Sequence, residues 1–379
     1  MSELLLKGFE VEMYTGRSDG TVVGCSSEAA AALPEVVTEP DRRNLEYITP
    51  PEADYSLQLQ HLLKPRQRLR RWLAERELTL LPGSTLSLGD SQRFERSDPQ
   101  NPYHQFIEDA YGTRVVTASI HINLGLEDSA AIMAACRLLR CEAALLLALS
   151  ASSPFLDGHI CGAHSQRWRQ FPLTPAKVPL FRDQAHYIQW MEDQLASGAM
   201  RNVRHFWGSV RPNGPERPHS LNRVELRICD LVTDPRQLLA ITAFCELRLL
   251  QLLDRSCDDP ASQSTLNLTQ LAELADANDQ QAALKSLDAE LHHWQDGRIV
   301  SARQWISSQL EDLQNWAKGL EPSRWLGPID TLLDEGNTAM RWLQQHDQGN
   351  SINAILSQEA ALMENQEREL SSIAGADLG

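Results

Sequence analysis

Apolar and polar residues alternate through residues 4–14. In Lys7-Gly8-Phe9-Glu10-Val11-Glu12-Met13-Tyr14, an extended chain sends Phe9, Val11 and Met13 to one side and Glu10 and Glu12 to the other. The pattern predicts a strand with one apolar and one acidic face. Residues 44–49 read the same way around Leu45, Glu46 and Tyr47, and Pro50-Pro51 ends that strand because neither proline can donate to a ladder. Residues 113–126 form a third strand, with Val116, Ala118, Ile120, Ile122 and Leu124 opposite Thr117, Ser119, His121, Asn123 and Gly125. Residues 222–230 form a fourth, with Val224, Leu226 and Ile228 opposite Arg223, Glu225, Arg227 and Cys229. Residues 78–88 are short and strand-like.

Helical periodicity fills much of the remainder. Residues 55–76 carry Leu59, Leu62, Leu63, Leu69, Trp72 and Leu73 at helical spacing, with Pro65 as a kink or break. Residues 129–150 form the most apolar run, and 183–197 a helix bearing Tyr187 and Trp190. Asp234-Pro235 starts another helix, with Asp as N-cap and Pro at its first position, running to about residue 255. From there to about residue 370 the chain reads as helices broken near Gly297, Gly319, Gly327 and Gly349, with His292-His293 on a solvated helical face and frayed residues at 373–379. Residues 15–30, 91–104, 152–169 and 211–220 read as loops, and 39–43 as a polar turn. The layout is α+β: a catalytic sheet-and-helix core over 1–255, and a helical part over 256–379 packed on the same domain.

Charge and cysteines narrow the class. The 379 residues carry a formal net charge of −16 and a pI near 5.1, which argues against nucleic acid or an anionic membrane surface as partner. Arg137, Arg140 and Glu142 interrupt the apolar run at 129–150, so it reads as a core helix, not a membrane span. The seven cysteines are odd in number and lack a Cys-x-x-Cys, which suggests neither a disulfide framework nor a zinc site. With no signal peptide read at Met1, a cytoplasmic protein is expected. Neither a Walker loop nor a Gly-x-Gly-x-x-Gly after a strand is present.

The polar strand faces carry the candidate chemistry. Glu10, Glu12, Glu46 and Glu225 project from strands, Glu39 lies on the turn before Glu46, and His121 on a central strand. Each face alone is explained by solvation. Four together suggest a cleft whose oxygen-rich ligands suit magnesium or manganese. Arg227 shares a face with Glu225, where it would neutralise phosphate. Metal-dependent phosphoryl chemistry is the expectation.

These stretches resemble the glutamate–cysteine ligase (γ-glutamylcysteine synthetase) family, in particular its cyanobacterial-type branch. Gly8-Phe9-Glu10-Val11-Glu12 is similar to the family's opening Gly-x-Glu-x-Glu, and Glu39 with Leu45-Glu46-Tyr47-Ile48-Thr49-Pro50 to its second metal-binding element. Ser119-Ile120-His121-Ile122-Asn123, Ala151-Ser152-Ser153-Pro154-Phe155 and His164-Ser165-Gln166-Arg167-Trp168 resemble its His-x-Asn, Ala-x-Ser-Pro and Ser-x-Arg elements. Residues 209–214 and 221–230 resemble signatures of the branch.

The resemblance implies a glutamine-synthetase-like catalytic fold, a curved, mainly antiparallel sheet forming a funnel with helices outside. It implies ATP-dependent joining of the γ-carboxylate of L-glutamate to the amine of L-cysteine through a γ-glutamyl phosphate, the first step of glutathione biosynthesis. Glu10, Glu12, Glu39, Glu46, His121 and Glu225 would be metal ligands for magnesium or manganese, and Arg227 would be the catalytic contact to phosphate. Asn123, Arg167, Arg211 and Arg227 would bind substrates or nucleotide. Phe155, Trp168, Tyr187 and Trp190 are candidates for a sulfur-selective pocket. A related ligase taking another amine, or a non-catalytic metal- or nucleotide-binding protein, stays open, as does a homo-oligomer.

Overall fold

The computed structural model describes residues 4–255 and 259–376. Cys257, the start of the expected second part at 256 and residues 377–379 lie outside the described residues. The strands are β1 (Lys7–Gly16), β2 (Val36–Thr38), β3 (Asn44–Ile48), β4 (Thr79–Leu81), β5 (Ile120–Gly125), β6 (Phe155–Leu156), β7 (His159–Ile160), β8 (Val210–Asn213), β9 (Arg223–Leu226), β10 (Glu290–His292) and β11 (Ile299–Ser301). The helices are α1 (Ser26–Ala32), α2 (Tyr55–Ala74), α3 (Pro102–Tyr111), α4 (Ser129–Ser150), α5 (Gln166–Gln170), α6 (Gln184–Ala196), α7 (Pro235–Arg255), α8 (Pro260–Gln263), α9 (Leu268–Lys285), α10 (Ala302–Trp316), α11 (Gly327–Glu335), α12 (Thr338–Asp347) and α13 (Ile352–Ala376).

One antiparallel sheet runs in the order β2-β3-β1-β5-β9-β8, with β4 pairing the far end of β1. Its apolar face follows from the alternation. Phe9, Val11, Met13, Leu45, Tyr47, Ile120, Ile122, Leu124, Val224 and Leu226 are all buried beneath the helical layer. α4 lies at the centre of that layer, against β8, β9, α7 and α9. Asp128 caps it, accepting from the Ala131 amide at 2.7 Å. Its charges survive burial because each is paired: Arg137 with Asp259, Arg140 with Asp276 and Asp279, and Glu142 with Arg248, Trp294 and Gln309. Lys7, also buried, lies 3.2 Å from Glu246 and over the Tyr55 ring. None of the described helices is long and apolar enough to cross a membrane.

Several local expectations are corrected. α2 continues unbroken through Pro65, held on both sides by buried Leu62, Leu63 and Leu69. α1 begins inside the expected loop at 15–30 and runs on to Ala32. The prolines near residue 100 start a helix: Asn101 caps α3 and Pro102 opens it, which puts His104 on a helix. The third strand is shorter than its alternation, because residues 112–115 form a 3₁₀ turn. Arg211 is not in a loop but on β8, an edge strand that tolerates Pro212. The chain after 256 is not all helical: β10 and β11 form a hairpin, and His293, expected on a solvated face, is buried and stacks on Trp305 at 4.4 Å. α13 runs on to Ala376, past the point where order was expected to fade.

Candidate functional site

Register assembles the polar face. Glu12 pairs with Glu46 across β1 and β3, Glu10 with His121 across β1 and β5, and Asn123 with Glu225 across β5 and β9. Arg211 on β8 stands opposite Glu225. Glu39 follows the end of β2, whose Val37 pairs with Glu46. All six expected ligands therefore line one surface, and they divide into two triads: Glu10, His121 and Glu225, and Glu12, Glu39 and Glu46. Within each triad a ligand atom from every residue lies within 4.8 Å of the others.

The two triads differ in charge balance. Around Glu225, Arg211 donates through Nε at 2.7 Å and Nη2 at 3.0 Å, Arg227 Nη1 donates at 2.7 Å, and Asn213 Nδ2 at 2.6 Å. Burial raises the cost of its charge, but the two guanidinium groups outweigh it and hold Glu225 well below the usual carboxylate range. Glu10 is likewise held low: burial opposes its charge, and the hydrogen bond from His121 Nδ1 at 2.8 Å, with the imidazole's charge, overcomes it. Glu12 accepts from Ser119 Oγ at 2.7 Å. Among the described residues, neither Glu39 nor Glu46 is held in an ion pair with a cationic side chain. Burial, with Glu12 adding to it, pushes Glu39 up to about 8, and burial with the Glu39 and Glu12 charges pushes Glu46 up to about 10. One triad is neutralised by arginine; in the other, burial and neighbouring carboxylates hold back the ionisation of Glu39 and Glu46.

A cavity of about 780 Å³ opens over this face. Glu12, Glu39 and Glu46 lie at one end, and Arg211, Arg217, Arg223 and Arg227 reach it from the strands and loop at the other. Arg227 is buried, yet Glu225 and Glu10 hold its pKa above the ordinary arginine value. Arg211 is committed to Glu225 and to the Phe206 carbonyl, and burial pulls it down to about 10. Arg167 donates through Nη1 to Ile228 O at 2.9 Å and through Nη2 to Arg227 O at 2.8 Å, leaving Nε without a partner. Asn123 sits behind Glu10, donating to it at 3.3 Å and accepting from Arg223 Nε at 3.0 Å. Ser152 and Ser153 bond to Leu231 O and Asp230 beneath the site.

The expected aromatic pocket is corrected. Phe155 packs on Trp342, Tyr187 and Trp190 pack with Phe181, and neither they nor Trp168 line the cavity. The aromatic groups that do are Phe94, Tyr103, Phe171 and Trp207. Sequence reading missed these and also Arg217, because their convergence depends on how distant segments fold back, which periodicity does not encode; Arg223 was visible only as one polar position of the strand at 222–230. For Arg217 the charged, proline-rich stretch at 211–220 was the one visible signal.

Comparison with known proteins agrees with this geometry. The model of the family described as "Glutamate-cysteine ligase family 2(GCS2)" matches residues 6–361. A Gloeobacter violaceus protein named "Putative glutamate--cysteine ligase 2" is 27% identical over 268 residues, 69% of each chain. A Mycolicibacterium vanbaalenii protein named "Putative glutamate--cysteine ligase 2-1" is 25% identical over 350 residues, 89% of each. Among solved structures, the glutamate–cysteine ligase of Francisella tularensis in complex with AMP superposes with a TM-score of 0.74 at 13% identity, covering 99% of this chain and 94% of that one. A bifunctional glutathione synthetase from Pasteurella multocida gives 0.74 at 16% identity; it covers 96% of this chain, which spans about half (53%) of that one. The fold is therefore that of these ligases, an α+β arrangement of antiparallel sheet and outer helices.

Proposed function

The chain belongs to glutamate–cysteine ligase family 2, and from that premise we propose that it joins the γ-carboxylate of L-glutamate to the amine of L-cysteine at the expense of ATP. The observation that carries this reading is the pair of ligand triads side by side on one sheet face, with arginine at the opposite end of the same cavity. A γ-carboxylate oxygen attacks the γ-phosphorus of ATP, breaking the bond to ADP and giving an acyl phosphate. The amine nitrogen then attacks the acyl carbon, loses a proton, and inorganic phosphate leaves. The first step brings two anions together and the second releases another, so the site must supply positive charge.

The residues fit divalent magnesium or manganese on chemical grounds. Glu12, Glu39 and Glu46 offer three carboxylates, hard donors suited to such ions, and the pKa values of Glu39 and Glu46 are raised by burial and by the neighbouring carboxylates. Glu10 and His121 offer further ligand atoms. Bound there, a divalent ion would screen phosphate charge and polarise phosphoryl oxygens. Arg227 is the residue we assign to the transferring phosphoryl group: it stays cationic and reaches the cavity. Arg211 and Arg167 are assigned to positioning rather than to the substrate contacts the resemblance implies. Arg211 holds Glu225, and Arg167 pins the backbone carbonyls at Arg227 and Ile228. Glu225 fixes Arg227 in turn.

The test is phosphate release from ATP and magnesium with L-glutamate, with and without L-cysteine, on the wild type and Glu12→Gln. The expected result is cysteine-dependent release, γ-glutamylcysteine as product, and its loss in Glu12→Gln. Turnover with a different amine alone would keep the half-reaction and refute the cysteine assignment.

A further inference from the structure

Three stretches beneath the cavity meet at one carboxylate. Asp230 lies just past the end of β9 and is fully buried. Its Oδ2 accepts from Ser152 N at 2.9 Å and Ser153 Oγ at 2.7 Å, and its Oδ1 accepts from Ser165 Oγ at 2.8 Å. A carboxylate can only accept, so each serine commits its single proton to Asp230 and turns its lone pairs towards α5. There Ser153 Oγ accepts from Arg167 N at 3.1 Å, and Ser165 Oγ accepts from Trp168 N at 3.2 Å. Asp230 thus fixes the first turn of α5 and, with it, the point from which the Arg167 side chain starts.

The far end of that side chain meets the same acid. Asp230 Oδ1 faces Arg167 Nη1 at 3.9 Å, and among the described residues no other carboxylate stands within ion-pair distance of this buried guanidinium. A charge buried without a partner is costly, so the seat of Arg167 depends on Asp230. Arg167 in turn serves the strand end. β9 stops at Leu226, which leaves the Arg227 and Ile228 carbonyls past its ladder, and Arg167 satisfies them through Nη2 at 2.8 Å and Nη1 at 2.9 Å. The Arg227 amide is held from the other side by the Ser209 carbonyl at 2.8 Å. The backbone from which Arg227 reaches the cavity is therefore held on both sides, and one side hangs on Asp230.

We propose that Asp230 is a positioning residue for phosphoryl transfer: it seats Arg167, and Arg167 aims Arg227. The inference rests on the ligase reading above and deepens it. Asp230 touches no substrate, so its removal should act on the rate of transfer and not on substrate affinity. Misplacing a group at the reacting phosphorus by about 1 Å can cost on the order of a hundredfold in rate. Asparagine at this position keeps the shape and one accepting oxygen, but it removes the charge that faces Arg167 and sets an N–H where a serine proton now points.

The experiment compares the full-length wild type, Asp230→Asn, Arg167→Gln and the double variant. It measures steady-state kinetics, with kcat counted per folded molecule, and calorimetric binding of ADP with magnesium and aluminium fluoride, which mimics a phosphoryl group in transfer. Each single variant should lower kcat roughly 10- to 100-fold, weaken the mimic by a like factor and leave every KM within about threefold. The double variant should be no slower than the slower single one, because the two residues act as one unit. A role confined to folding would lower Tm and leave kcat per folded molecule unchanged, and that result overturns the proposal, as do losses that multiply in the double variant. If Asp230→Asn alone does not fold, the double variant, which removes both charges together, is compared with Arg167→Gln: equal kcat sustains the proposal and a further fall overturns it. If the wild type releases no phosphate yet binds the mimic, and the variants weaken it without adding, the ligase reading fails and the positioning role stands. If the wild type neither releases phosphate nor binds the mimic, both fall.

Discussion

The same one-atom change, carboxylate to amide, should have opposite effects at Glu46 and Glu225. Without a cation, Glu46 stands at about 10, so it stays protonated at pH 7.5, whereas in the unfolded chain it ionises near 4.5. A folded-state pKa above the unfolded value means stability that is intact below the unfolded pKa and drains away as pH rises towards the folded one. Three pH units at about 1.4 kcal/mol each amount to roughly 4 kcal/mol lost by pH 7.5. Glutamine escapes that loss. Glu46→Gln in EDTA should therefore match the wild type near pH 4.5 and exceed it by up to about 4 kcal/mol at pH 7.5, roughly 5 °C in Tm for a chain of this length. Glu225 has the reverse sign. Its pKa is depressed, so its stabilisation is present above the unfolded value and is lost only as pH falls through the folded one. Glu225→Gln removes the partner of buried Arg211 and should cost about 3–5 kcal/mol at pH 7.5. Thermal unfolding of both variants across pH, in EDTA and in magnesium, decides this. Magnesium should raise the wild-type Tm and leave Glu46→Gln nearly unmoved. If Glu46→Gln falls in EDTA at pH 7.5 as far as Glu225→Gln, the charge imbalance assigned to the Glu12–Glu39–Glu46 triad does not exist.

Magnesium binding to the wild type should displace protons, because Glu39 at about 8 and Glu46 at about 10 must ionise to coordinate. Apparent affinity should climb about tenfold or more per pH unit between 6 and 8, and calorimetry in buffers of different ionisation enthalpy should count at least one proton released. Arg211→Lys should destabilise by about 2–4 kcal/mol, since a lysine cannot reproduce the two-pronged contact to Glu225, and chemical denaturation will read it. Gly214→Ala should lower Tm, because an added Cβ would run into the Ser220 carbonyl oxygen and force the loop apart, and thermal unfolding will read it.

The strand faces were legible because period-two alternation is a local property: Phe9, Val11 and Met13 against Glu10 and Glu12 need no knowledge of a neighbour. Which acid meets which is not local. The division of six expected ligands into two triads follows from the register that sets Glu12 against Glu46 and Glu10 against His121, and no single stretch contains it. Arg211 and Arg217 show the same limit. Both looked like loop arginines. Only the pairing of β8 with β9 places Arg211 on Glu225, while Arg217, six residues on, has no ion-pair partner among the described residues. The hairpin at β10 and β11 was hidden by its brevity, three residues a strand, set between long helical runs.

A chain with net charge −16 would repel triphosphate and amino-acid carboxylates if its charge were spread evenly. The cavity resolves this by separating sign. At the β8–β9 end, one carboxylate, Glu225, is shared by two arginines, so that end remains cationic overall. At the β1–β3 end, Glu12, Glu39 and Glu46 share no arginine ion pair among the described residues, and the crowding that keeps protons on Glu39 and Glu46 is relieved when a cation arrives. On the ligase reading, substrate anions would be directed to the arginine end, and divalent cations with the phosphates they carry to the other, before any specific contact forms. Because such guidance acts through solvent, added salt should weaken it within about a Debye length, while the buried pair of Arg211 and Glu225 should be little affected. kcat/KM should therefore fall with ionic strength more steeply than stability does, and parallel losses in the two would mean that the separation of charge organises the fold without steering the substrates.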